Sequence, residues 1–154
     1  VLVVLLVIGQ FVRPPRNAGD TTNDISARFT VPPDVTAMLR TSCYDCHSNE
    51  TKYPWYAEVQ PVGWWLYQHI KNAQEELNFS EFDGYRPRRQ YRKFDEMITQ
   101  VKEEEMPLPS YLLIHTDAKL SPESRERLIA WGNAMRDSMK AAYPIDSLER
   151  RSNR

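Results

Sequence analysis

Two cysteines separated by two residues and followed at once by a histidine, Cys43-Tyr44-Asp45-Cys46-His47, constrain this chain more than any other stretch. The spacing C-x-x-C-H is the attachment signature of c-type haem. On one turn of helix, each thiol can form a thioether to a porphyrin vinyl group, and the next residue brings an imidazole under the iron as proximal ligand. The pentapeptide therefore predicts both tether and ligand, and a fold built around a flat apolar group.

The chain has only two cysteines, both in the pentapeptide, so none is left for a structural disulfide or a thiolate-rich zinc site. A zinc module using Cys43, Cys46 and His47 would have to use adjacent residues as two tetrahedral ligands, a strained arrangement, and no second cysteine pair exists. A redox dithiol would call for a strand-helix setting, and the sequence shows no strand alternation. With 154 residues, 41% hydrophobic and 27% charged, the chain suits a single domain with flanking segments. Its 20 basic and 21 acidic residues leave no nucleic-acid footprint.

Residues 1–12, VLVVLLVIGQFV, are apolar and precede Arg13-Pro14-Pro15-Arg16. The run is shorter than the ~20 residues that cross a bilayer. It reads as part of a transmembrane signal-anchor in preference to a cleaved signal or a core segment, with the domain on the extracytoplasmic side of a bacterial membrane. Residues 13–33, rich in Pro, Asn, Thr, Gly and Asp, read as an extended linker. Residues 34–143 form the expected domain, and 144–154 a polar tail.

Within the domain, Asp34 is a candidate N-cap for a helix that runs into Cys43. Tyr53, Trp55 and Tyr56 follow the motif in an irregular loop and are expected to be buried against the haem edge. Pro61 starts a second helix, on which Trp65 and His69 share a face. Arg86, Arg88, Arg89, Arg92 and Lys93 begin a third, with the apolar stripe Tyr91, Phe94, Ile98 and Val101. They read as its solvated face, or as a patch for an acidic partner. Pro107 ends that helix and places Met106 at a rigid corner, 59 residues beyond His47, a mount for a thioether aimed at a metal. Ser121-Pro122-Glu123 opens a final helix whose stripe is Leu128, Ile129, Gly132, Met135 and Met139. Gly132 suggests close approach of another backbone, such as the helix that carries the haem motif.

The stretches CYDCHSNETKYPWYAEVQPVGWWLYQHIKNAQEELNFSEF and EMPLPSYLLIHTDAKLSPESRERLIAW resemble the bacterial haem-binding domain family of c-type cytochromes. The second stretch also looks like the distal half of class I cytochromes c. The resemblance implies an all-α, cytochrome c-like helical domain around one covalently bound haem c. It implies thioethers at Cys43 and Cys46, His47 as proximal ligand and Met106 as distal candidate. The segment from Ser48 to Phe82 departs from the compact class I pattern, which keeps His69 and His115 open as distal ligands. Tyr53, Trp55, Tyr56 and Trp65 are the candidate packing residues.

Two functions from different classes follow. One is single-electron transfer by a membrane-tethered monohaem cytochrome serving redox protein partners or a respiratory or photosynthetic complex, an electron carrier rather than an enzyme in its own right. The other is a five-coordinate haem enzyme or sensor, peroxidase-like or gas-binding, with a distal histidine.

Overall fold

The computed structural model describes residues 2–17 and 19–149. The chain is all-helical, and no strand occurs among the described residues. The α-helices are α1 (Leu2–Gly9), α2 (Pro33–Ser42), α3 (Tyr44–His47), α4 (Val62–Glu76), α5 (Pro87–Lys102), α6 (Pro109–Leu112), α7 (Pro122–Ala142) and α8 (Ile145–Leu148). Short 3-10 turns at Ile25–Ala27, Trp55–Glu58, Phe79–Gly84 and Thr116–Ala118 join them.

The helix starts follow proline and capping chemistry. α7 begins as expected, with the Ser121 side chain accepting from the Ser124 N–H and Pro122 in the first turn. In α2 the cap position falls to Pro32, with Pro33 in the first turn. Asp34 therefore lies inside the helix, where Arg127 of α7 grips both carboxylate oxygens at 2.6 and 3.2 Å. Asp34 is a tie between helices rather than a cap.

The core is centred on rings. Phe94 of α5 meets Phe29, Phe82 and Trp131 edge-on at 5.1, 5.1 and 5.7 Å between centroids. Edge-to-face pairs of this kind add about 0.5–1.5 kcal/mol each beyond burial. The ring of Tyr44, inside the pentapeptide, stacks on Phe79 at 5.3 Å and so fastens α3 to this core.

Two segments expected to flank the domain take part in it. The stretch 13–33 is largely irregular, as its composition suggests, yet Ile25 and Phe29 are buried in the core. The Thr30 carbonyl also accepts the Trp131 indole N–H at 3.1 Å. Two apolar side chains in a polar stretch were enough to turn a supposed spacer into packing. At the other end Leu148 of α8 is buried, and Arg88 donates to the carbonyls of Asp146 and Ser147. The start of the supposed polar tail therefore closes the core; residues 150–154 lie outside the described part. At the N-terminus α1 has eight residues, and among the described residues no helix is long and apolar enough to cross a membrane.

Gly132 does mark a close approach, but to α5. A Cβ there would sit 2.9 Å from Ile98 Cγ1 and 3.1 Å from Met97 Cε. The tight contact is thus the α5–α7 seam, the most extensive helix pair, and not the helix bearing the haem motif. Ile98 Cγ1 is close to its own backbone and yields little. Gly132→Ala should therefore destabilise by about 1–3 kcal/mol through overpacking, despite the better helix propensity of alanine. A shift of the urea midpoint at unchanged slope measures it.

Candidate haem site

Cys43 is at once the C-cap of α2 and the N-cap of α3. Its N–H donates to the Leu39 carbonyl at 2.9 Å, and its own carbonyl accepts the N–H groups of Cys46 and His47 at 3.2 and 2.9 Å. The pentapeptide is therefore a single helical turn set at a break between two helices. Both thiols are free and half-buried. Burial pushes the Cys43 thiol up to about 12 and that of Cys46 to about 11. A dithiol used for exchange, or a thiolate metal ligand, is served by a lowered value. Neutral thiols beside an imidazole suit thioether formation.

The imidazole of His47 is fixed by the end of α4. Its Nδ1–H faces the carbonyls of Ala73 and Leu77 at 3.1 and 2.9 Å, with the ring tautomer assigned from these two acceptors. The proton is thereby held on Nδ1, and the lone pair on Nε2 is left for a metal. Burial lowers the His47 pKa below its ordinary value, although the two carbonyls oppose this by favouring the protonated ring. The neutral ligand form is thus the stable one at neutral pH.

The α4 terminus is itself held. Lys93 of α5, with 5% of its side chain exposed, places its Nζ 3.0 Å from Glu76 Oε2 and 2.6 Å from Glu96 Oε2. Lys93 leaves the solvated face expected for the basic cluster. Arg89 also turns inward, with its guanidinium 3.9 Å from the Tyr85 ring centre and a bond to the Glu75 carbonyl. These side chains brace the helix end that carries the acceptors of His47.

Met106 follows the end of α5. The chain turns there at Glu104, whose φ of 59° lies in the left-handed region usually given to glycine. The N–H groups of Glu105 and Met106 both return to the Gln100 carbonyl, at 3.0 and 3.2 Å, and Arg125 of α7 holds the Glu104 carboxylate at 2.8 Å. The half-buried Met106 thus stands on a corner pinned from two sides. The segment that follows returns to the motif, where the Tyr111 hydroxyl donates to Asp45 Oδ2 at 2.9 Å. Burial and the Asp45 carboxylate raise the pKa of Tyr111, so it remains a donor.

The three histidines differ in their engagement. His115 shares a hydrogen bond through Nε2 with the Tyr56 hydroxyl at 2.9 Å and stacks on Tyr111 at 4.1 Å. His69 is half-buried and stacks on Trp65 at 5.3 Å. Only His47 has a ring nitrogen tied to backbone carbonyls, and it shares its helical turn with the two cysteines.

The aromatic loop after the motif is less buried than its composition suggests. Trp55 is 77% exposed, Trp65 58%, and Tyr53 and Tyr56 are half-buried. Tyr53 serves the N-terminal segment instead, its hydroxyl accepting the Asn17 N–H at 3.1 Å under the Arg16 guanidinium. Exposed Trp65, Leu113 and Ile114 offer apolar surface of the kind a porphyrin face covers. Donor set, tautomer and apolar surroundings all fit a haem.

Sequence reasoning missed Ala73, Leu77, Lys93, Tyr111 and Asp45. The first two act through backbone and carry no side-chain signal. Lys93 is betrayed only by its place inside the apolar spacing of Tyr91, Phe94 and Ile98. The Lys93 ammonium holds the Glu76 carboxyl below its ordinary value of 4.5. Because the folded value is depressed, this contribution is present above about pH 4.5 and fades as pH falls through the lower folded value. Glu76→Gln should therefore lower the urea midpoint slightly at neutral pH, a small drop because Glu76 is largely exposed, and the curves of variant and parent should converge as pH falls through the lower folded value.

Comparison with curated proteins and with solved structures gives no match. A family model described as a haem-binding domain matches residues 4–134, which include the pentapeptide, α4, the Met106 corner and most of α7. With a histidine on the same helical turn as two free thiols, and a match over most of its length, the chain belongs to the haem-binding domain family and is a haem protein.

Proposed function

We propose that this protein is a membrane-tethered monohaem c-type cytochrome that passes single electrons between redox partners on the extracytoplasmic side of a bacterial membrane. The observation that carries the reading is His47. Its Nδ1 is committed to two carbonyls and its Nε2 is free, one residue after Cys46 and four after Cys43. When bound, haem would supply a one-electron iron couple.

The chain's own residues then have distinct tasks. Cys43 and Cys46 would hold the macrocycle by thioethers from either end of the turn that follows the break between α2 and α3. The carbonyls of Ala73 and Leu77 make His47 a more basic ligand by accepting its Nδ1–H. Met106 would serve as the distal ligand, a soft thioether that favours a reduced metal. Two features support it over the histidines. His69 sits on α4, the helix that grips the Nδ1 side of His47, whereas a distal ligand must approach from beyond Nε2. His115 has its Nε2 occupied by Tyr56. A redox complex is the natural partner, since a tether keeps the domain at high effective concentration beside it.

One observation favours the second reading, a five-coordinate haem enzyme or sensor. The Tyr56–His115 pair is a ready donor-acceptor couple next to the motif. Absorption spectroscopy separates the two. Electron transfer requires a low-spin ferric spectrum that ignores added cyanide, with a methionine-to-iron charge-transfer band where Met106 is the distal ligand; a high-spin spectrum that shifts with cyanide or peroxide replaces it with the second reading.

Variants extend the test. Cys43→Ala with Cys46→Ala should leave haem removable by acid-acetone, where the parent chain keeps it. Met106→Ala should open the iron to added ligands and move the potential down within the roughly 0.8 V range that axial ligands govern. His69→Ala should keep the low-spin spectrum; the reverse pattern assigns the distal position to His69.

A further inference from the structure

The N-terminal segment is clasped to the domain rather than trailing from it. The Gln10 side chain pairs reciprocally with the backbone of Gln60, Nε2 donating to its carbonyl at 3.1 Å and Oε1 accepting its N–H at 2.9 Å. The Trp64 indole N–H donates to the Val12 carbonyl at 2.8 Å, and its ring passes Gly9 so closely that an added Cβ would lie 3.3 Å from Cη2. Arg13 donates to the Glu58 carbonyl at 2.8 Å, and both Arg13 and Arg16 pair with the Glu58 carboxylate. Three separate ties thus join residues 9–16 to the Trp55–Glu58 turn and the start of α4.

What this clasp presents outward is apolar. Val3, Val4, Val7, Ile8, Phe11 and Val12 are each more than half exposed. α1, LVVLLVIG, carries no polar side chain on any face. A helix that enters a protein groove shows one apolar stripe and one polar face. One that is apolar all round is matched by a surrounding of hydrocarbon, which singles out lipid as the occupant. Beside it Trp55 is 77% exposed and Trp64 40%, and arginines follow directly. Exposed indole rings and a polar rim of guanidinium groups are the composition of the headgroup layer.

We propose that the Trp55–Glu58 turn and the first turn of α4 rest in the headgroup layer of the bilayer that takes the N-terminal segment, so that the haem domain docks in one fixed orientation. This rests on the reading of residues 1–12 as a membrane tether. The clasp continues inward, because Asn17 Nδ2 donates to the Ser48 carbonyl at 3.0 Å and to Thr51 Oγ1 at 2.6 Å. The residue that follows His47 is thereby tied to the membrane side of the molecule. Docking fixes the height and tilt of the haem motif above the lipid, where a freely swinging linker would sample many.

The test uses the full haem-loaded chain, reduced and labelled with fluorotryptophan, in vesicles of equal parts phosphatidylcholine and phosphatidylglycerol. The four tryptophan resonances are assigned by single Trp→Phe variants. A gadolinium chelate is presented first on a lipid headgroup and then free in water. Docking requires the Trp55 and Trp64 resonances to broaden severalfold with the lipid-borne chelate while that of buried Trp131 keeps its width. Equal widths for Trp64 and Trp131 with the lipid-borne chelate, together with broadening of Trp64 by the soluble one, overturn docking and leave the tether standing. A chain that fails to float with the vesicles overturns docking and tether together. The absorption spectrum of the same sample reads the haem assignment independently of either outcome.

Discussion

The hydrogen bonds from His47 Nδ1 to the carbonyls of Ala73 and Leu77 are the contact on which the rest of the architecture depends. They use the end of α4, where the Leu77 carbonyl lies past the last helical residue and the Ala73 carbonyl also accepts the Leu77 N–H at 2.9 Å, to take up the one donor a neutral imidazole has. The same two bonds decide the tautomer, the ring orientation and the nitrogen left for a metal. Everything that holds α4 in place is therefore part of the site at one remove: the Lys93–Glu76 pair across to α5, the packing of Leu66 and Ile70, and the clasp at its N-terminal end.

The molecule is organised in two halves that meet at the pentapeptide. One is the ring-centred core of Phe29, Phe82, Phe94 and Trp131, with the α5–α7 seam tightened at Gly132. The other is the more open side formed by the Trp55–Glu58 turn, α4 and the segment after Met106, where large apolar side chains stay exposed. Tyr44 faces the first half through Phe79, and Asp45 faces the second through Tyr111 and the backbone N–H of Lys52. Two adjacent residues of the motif thus anchor it on opposite sides, with Cys43 before them and Cys46 and His47 after.

Much of this was readable from local signals. The C-x-x-C-H spacing picked out the candidate site, prolines at 61 and 122 located helix starts, and Ser121 with Glu123 marked the start of α7; α5, expected to run up to Pro107, ends at Lys102 because the chain turns at Glu104. What was misread involves long-range partners. Asp34 has the chemistry of a cap but is claimed by Arg127, 93 residues away. Ile25, Phe29 and Leu148 sit in stretches polar enough to pass for linker and tail, and their burial depends on what folds against them. Trp55 looked like core because tryptophans commonly are. Gly132 correctly announced a close approach, yet nothing local could say that Ile98 was its neighbour.

The sequence by itself determined the residue types of the candidate site and the class of fold. Both reside in residue identity at short spacing, two thiols and an imidazole on one turn and apolar residues at helical period. Only the tertiary structure decided which nitrogen of His47 is free, that Lys93 is buried against two carboxylates, and that residues 9–16 are fastened to α4. Each of those depends on a carbonyl or charge contributed from far along the chain, and side-chain spacing does not encode where a backbone carbonyl will point once two helices have packed.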